Sequence, residues 1–268
     1  MQTTIKRIIA VLNDFTMIDE ILGKAFSFAQ NHDAMVEILY VHESPLFDVP
    51  DFFSSEEENS IDKEKIKSAI LEKVAAFKPE KEPVVFVQID DTPNRVWVLA
   101  REDKECLIVT AYHKSISYDL VKKITQPILI IKTNTKKYHK IALIINAESP
   151  ASICIDRAKK YFSESEIELF YDYRYIVTPG IETGIQNIQI IEEAQRETFE
   201  ALKDEKGLEG KFFIDGDYLD TDINAYLQEK GYDMLYACAS ADDFFVSETL
   251  GITLLETITC DMLISSRE

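Results

Sequence analysis

Ten apolar runs of strand length punctuate the chain in two sets of five, and the second set repeats the first at a nearly constant spacing. The first set is Ile8–Leu12, Met35–Val41, Val84–Ile89, Leu107–Ala111 and Ile128–Ile131; the second is Ile141–Ile145, Ile167–Tyr171, Lys211–Ile214, Met234–Ala237 and Met262–Ile264. Between them Ile18, Leu22, Ala25 and Ala29 recur at helical spacing, as do Ile66, Ile70, Val74 and Phe77. Shorter helices are expected around Val96–Ala100 and Asp119–Ile124, and a long one over Ile181–Leu202. Uninterrupted apolar strands alternating with amphipathic helices indicate βαβ units around a parallel sheet buried on both faces. Adding 133 carries Leu12-Asn13 onto Ile145-Asn146, adding 131 carries Glu37 and Tyr40 onto Glu168 and Tyr171, and adding 134 carries Leu129-Ile130 onto Leu263-Ile264. Solenoid repeats run to about 20–50 residues, so this period means a duplicated domain. The join falls in the polar, lysine-rich segment Thr133–Tyr138, giving expected domains at residues 1–135 and 136–268.

Each half is therefore read as a doubly wound α/β domain with helices on both faces of a five-stranded parallel sheet. The right-handed crossover rule leaves few strand orders, of which 3-2-1-4-5 is the one expected. That order creates a switch point between strands 1 and 4, where open α/β sheets bind ligands beyond the carboxyl ends of their strands.

Glycine usage then narrows the chemistry. Of eight glycines only Gly23 falls in residues 1–137, inside a helical pattern. Loops that cradle phosphate bring backbone N–H groups close to oxygen atoms, often at φ > 0 where a Cβ is costly. No Walker loop, dinucleotide fingerprint or Gly-x-Ser-x-Gly elbow occurs. The net charge of −19 repels polyanions and argues against a nucleic-acid partner. It is uneven: residues 1–137 hold 18 basic and 22 acidic side chains, a balance of −4, and residues 138–268 hold 11 and 26, a balance of −15. Cys106, Cys154, Cys238 and Cys260 are far apart and lie in or beside apolar segments, so they read as reduced, buried thiols. The apolar runs are too short for a membrane span or a signal-peptide core, from which a cytoplasmic protein without a membrane partner is expected.

Arg7-Ile8-Ile9-Ala10-Val11-Leu12-Asn13, Ile38-Leu39-Tyr40-Val41-His42 and Thr125-Gln126-Pro127-Ile128-Leu129-Ile130-Ile131, in this order and duplicated, resemble the first, second and last strands of the universal stress protein family. The resemblance covers nearly all of residues 5–266 and is to the tandem form, with two such domains forming an intrachain pseudo-dimer packed through their last strands. In nucleotide-binding members an aspartate ends the first strand, and a loop Gly-x₂-Gly-x₉-Gly-Ser/Thr after the fourth wraps the phosphates of ATP. This sequence departs at each point. The aspartate position is Asn13 in one half and Asn146 in the other, with Asp14 adjacent and able to take the role. The first glycine becomes Ala111 and Cys238, the final glycine Lys114 and Glu248, and the final hydroxyl Ser115 and Thr249. Only three residues separate Ala111 from Ser115, so the resemblance implies that the first phosphate loop is deleted. The second half keeps a longer segment but places Asp242, Asp243 and Glu248 near the phosphate position.

The expectation is thus a non-enzymatic stress-response or regulatory protein, with no required cofactor, acting on a small ligand or on protein partners; homodimerisation is left open. The alternative is an adenine-nucleotide (ATP or AMP) binding protein with weak hydrolysis in the second half. Of the two clefts the second is the better candidate, with Asn146 and Ala147 at its floor, Cys238, Ala241 and Thr249 along one wall, and Phe244 or Phe245 as an apolar face. In the first half the corresponding positions are Asn13, Asp14 and Ser115. His42 and His113 also fall at strand ends but lack metal-ligand spacing, and the simpler reading is a solvated edge. Phe52 and Phe53 precede the acidic run Glu56–Glu58, read as a solvated loop leading to a helix capped by Ser54 or Asn59.

Overall fold

The computed structural model describes residues 5–43, 61–103, 105–145, 151–172, 185–213, 219–238 and 254–265. Ten strands and, besides a helical turn at 254–257, seven helices run through them: β1 (Arg7–Leu12), α1 (Ile18–His32), β2 (Met35–Glu43), α2 (Lys63–Ala75), β3 (Val84–Asp90), α3 (Thr92–Ala100), β4 (Cys106–Ala111), α4 (Lys114–Lys123) and β5 (Ile128–Ile131). They continue as β6 (Lys140–Ile145), α5 (Ala151–Tyr161), β7 (Glu166–Asp172), α6 (Ile185–Lys206), β8 (Gly210–Phe213), α7 (Leu219–Lys230), β9 (Met234–Cys238) and β10 (Asp261–Ser265). Packing divides the chain into two compact units, 1–126 and 127–268.

In the first unit β1 pairs in parallel with β2 on one side and β4 on the other, and β2 pairs with β3, giving the order β3-β2-β1-β4. Ile8 to Leu12 and Cys106 to Val109 are nearly inaccessible to solvent, as strands covered on both faces must be. α1 lays Ile18, Ile21, Leu22, Ala25 and Phe28 on the core, at the spacing of one helical face. α2 begins at Asp62, whose carboxylate accepts from the Lys65 N–H at 3.0 Å, so the cap is Asp62 and neither Ser54 nor Asn59. α2 ends at Ala75, two residues before Phe77, because Lys78 takes a left-handed φ of 47° and turns the chain back toward β3. α3 is capped by Asp91 with Pro93 in its first turn. α4 starts at Lys114, five residues before the expected Asp119, and buries Ile116, Ser117, Leu120 and Val121.

In the second unit β6 lies between β7 and β9, β8 follows β7, and β10 follows β9, all in parallel. These five strands have the order 3-2-1-4-5. Register is reproduced between the halves: Arg7↔Met35 and Leu12↔Tyr40 in the first correspond to Lys140↔Glu166 and Ile145↔Tyr171 in the second. Ile8↔Leu107 likewise corresponds to Ile141↔Met234. An ion pair is duplicated with it, Arg7–Glu37 at 2.5 Å and Lys140–Glu168 at 2.8 Å.

β5 belongs to the second unit, where it runs antiparallel to β10 with Ile128↔Ile264, Leu129↔Leu263 and Ile130↔Met262. Leu263, which the sequence repeat aligns with Leu129, is its register partner.

Candidate functional site

The carboxyl edge of the first unit is built by the ends of β1, β2, β3 and β4, and the structure closes it internally. Asn13 follows β1, and its Nδ2 donates to the Thr92 Oγ1 at 2.6 Å and, at 3.5 Å, to the Val41 carbonyl. The Thr92 hydroxyl in turn donates to Glu43 Oε1, which also accepts from the Thr92 N–H at 3.1 Å. Thr92 is wholly buried. A hydroxyl bonded to a carboxylate is the first half of an activated nucleophile, but this one is sealed from solvent and already accepts a hydrogen bond from Asn13. The arrangement joins β1, β2 and the start of α3 and offers no reactive atom.

The other expected residues of this half stand apart from that network. Asp14 is exposed and accepts from the Thr16 N–H at 2.7 Å, a local turn. Ser115 is exposed in the first turn of α4. His113 sits immediately before α4, and its N–H, on the edge where a phosphate would lie, donates to the Ser117 Oγ at 2.9 Å. His42 is exposed at the end of β2, and among the described residues no cluster of His, Cys, Asp or Glu is arranged to hold a metal ion. Phe15, half-exposed, lies 5.8 Å from Tyr40 on the same edge. Thr92 was not among the expected residues. Its signal was present in Asp91-Thr92-Pro93, a cap followed by a helix-starting proline directly after a strand.

In the second unit β6 ends at Ile145 and β9 at Cys238. Asn146, Ala147, Ala241, Phe244, Phe245 and Thr249 lie outside the described residues, as does the side chain of Cys238. The cysteines depart from the expectation of four reduced thiols: Cys106 and Cys260 are free, and burial pushes both thiols up to about 12, whereas Cys154 is disulfide-bonded. Spacing along a chain does not report which thiols meet in space. Gly207 has φ 60° and ends α6, so Gly207-Leu208-Glu209-Gly210 is a turn into β8 and not a phosphate loop following a strand.

The most elaborate polar cluster lies at the join of the two sequence halves. The Asp261 carboxylate, fully buried, accepts from the Lys132 N–H at 2.8 Å, the Thr133 N–H at 2.9 Å and hydroxyl at 3.0 Å, and the Tyr138 hydroxyl at 2.7 Å. Burial, reinforced by the Asp261 charge, holds the Tyr138 phenol well above its ordinary range, so it remains a donor. The Lys132 Nζ donates to the Leu255 and Ile258 carbonyls at 2.5 and 2.6 Å, and burial lowers its pKa to about 8. Every oxygen and donor in this cluster has a structural partner, and its chemistry is to fix the join.

No family model matches the chain, and no curated protein matches it in sequence. Solved structures do. A universal stress protein from Archaeoglobus fulgidus is 11% identical, with 99% of this chain and 98% of that one covered at a TM-score of 0.68. A functionally unknown protein from Pseudomonas aeruginosa is 16% identical, over 99% and 94% of the two chains at a TM-score of 0.65. A second Pseudomonas aeruginosa protein, provisionally named a universal stress protein, is 15% identical over 98% and 94% at 0.64. The similarity spans both sequence halves and every strand described above, and the chain has the universal stress protein fold.

Proposed function

We propose that the chain is a cytoplasmic stress-response or regulatory protein of the universal stress protein type, non-enzymatic, working through small-ligand sensing or protein contacts after loss of the ATP phosphate loop. The observation that carries this reading is the two-residue connection between β4 and α4, Tyr112 and His113. A loop must supply several free N–H groups to hold phosphates, and here the helix starts at once and the His113 N–H is used by Ser117. Asn13, at the strand end where nucleotide-binding members carry aspartate, is likewise committed to Thr92. Among the described residues no helix is long and apolar enough to cross a membrane.

The test is ligand-dependent stability. A ligand at 100 times its Kd adds about 2.7 kcal/mol to the form it binds, so ATP with magnesium is expected to leave the melting temperature unchanged at concentrations that would shift a micromolar binder by several degrees. Such a shift would instead support the adenine-nucleotide reading in the second half. Mass spectrometry of the natively purified protein identifies what it retains, and Phe244→Ala with Phe245→Ala is expected to release any ligand held by the second cleft.

A further inference from the structure

We propose that the first unit carries a second binding site, at the amino edge of its sheet, for a small aromatic zwitterion of the size of an aromatic amino acid. The site goes beyond the function proposed above, since α1 ends and β2 and β3 begin on this edge, opposite the carboxyl ends of the strands. A cavity of about 350 Å³ opens there between the second half of α1, the start of β2 and the segment that follows α2. That volume lies within the range of small-molecule sites.

The cavity begins in the sequence of α1. Besides the face buried on the sheet, α1 carries a second stripe, Gly23, Phe26, Ser27 and Gln30, at positions i, i+3, i+4 and i+7. Phe26 is flanked by two small residues, and Phe77, just past α2, comes to a ring-centroid distance of 5.6 Å from it at a tilt of 35°. A Cβ on Gly23 would lie 3.5 Å from the Phe77 ring, so the glycine is not demanded by packing. Phe26 and Phe77, packed on each other, line the cavity together with Gly23 and make it a slot with an aromatic wall on which a planar ring can lie.

The mouth supplies both signs of charge. The Lys81 ammonium binds the Asp33 carboxylate and, at 2.8 Å, its carbonyl, pinning the Lys78–Lys81 segment to the end of α1. Asp33 and Lys78, two non-glycine residues at positive φ (54° and 47°), flank the opening. Lys78 and Glu80 are exposed and form no ion pair among the described residues. The pinned segment thus presents one free cation for a carboxylate and one free anion for an ammonium, above an aromatic floor.

Heteronuclear NMR titration of the full chain tests this, using L-phenylalanine, L-tyrosine and L-tryptophan, with phenylacetate and phenethylamine as probes lacking one charge each. At about millimolar concentration the amino acids are expected to shift resonances of residues 23–36 and 77–81, with each single-charge probe weaker by about tenfold, one charged contact's worth. Gly23→Leu, which fills the slot while raising helix propensity, is expected to abolish these shifts with the unfolding transition retained. Lys78→Glu is expected to weaken phenylacetate and spare phenethylamine. Absence of binding by all three amino acids, shifts confined to other residues, or unchanged affinity in folded Gly23→Leu would overturn the proposal.

Discussion

A single buried carboxylate, Asp261, holds the N–H groups of two consecutive residues and two hydroxyls that stand more than 120 positions away in sequence. Removing an acceptor from buried donors leaves their desolvation uncompensated. Asp261→Ala is therefore expected to lower the unfolding free energy of the second unit by about 2–4 kcal/mol in urea titration. Asp261→Asn, which keeps the oxygen facing Lys132 and Thr133, should lose less. Neighbouring Lys132 gives a pH dependence of defined sign. Its folded pKa, near 8, lies below the ordinary 10.5, so between these values the unfolded chain binds more protons and stability rises with pH. The stability difference between the protein and Lys132→Met is expected to shift in favour of the protein from pH 8 to 10.5, and to stay flat below pH 7. A difference that falls over that window would contradict the assignment. At the duplicated ion pair, burial alone would raise the Glu168 carboxyl, but hydrogen bonds from Lys140 and Tyr232 hold it below 4.5. Its contribution is present above that value and is lost as pH falls through the lower folded one.

At the scale of elements, β8 has four residues and, among the described strands, pairs with β7 alone, through Leu169↔Gly210 to Asp172↔Phe213. Its first residue packs so closely that a Cβ would lie 2.4 Å from the Leu169 carbonyl oxygen and 3.0 Å from the Phe199 ring. The clash is with backbone of the neighbouring strand and cannot be relieved by a rotamer change. Gly210→Ala is expected to lower stability by about 1–3 kcal/mol, read by thermal unfolding. Gly207→Ala, at positive φ but with nothing within 4 Å, should act through backbone strain alone and by less. Element types were legible in the residues because fully buried strands leave runs of Ile, Val and Leu that no turn interrupts. Helix beginnings were less legible. Lys114-Ser115-Ile116-Ser117-Tyr118 has a single aliphatic residue and looks like a loop, yet Ser117 is buried through its bond to the His113 N–H. Local hydrophobicity does not report a polar side chain that is paid for by a backbone partner.

The whole molecule is two compact units whose division at 126/127 places β5 in the second unit. A fragment of residues 127–268 keeps β5, Lys132 and Thr133 with β10 and Asp261, whereas residues 136–268 leave β10 with a bare edge and Asp261 without three of its donors. The longer fragment is expected to unfold cooperatively and to exceed the shorter in stability by more than about 2 kcal/mol. Equal stability would mean that β5 contributes nothing to the second unit. The sequence alone determined the α/β class and the ten strands, which follow from local periodicity, and the chirality of crossovers narrowed the strand order to a few, among them the 3-2-1-4-5 that is found. Tertiary structure alone decided which side chains meet: that Asn13 is spent on Thr92, that Lys132 and Tyr138 converge about Asp261, and that Phe26 and Phe77 enclose a cavity. Periodicity encodes only which face of an element leaves water, and the residue opposite that face is set by register and packing between segments tens of positions apart.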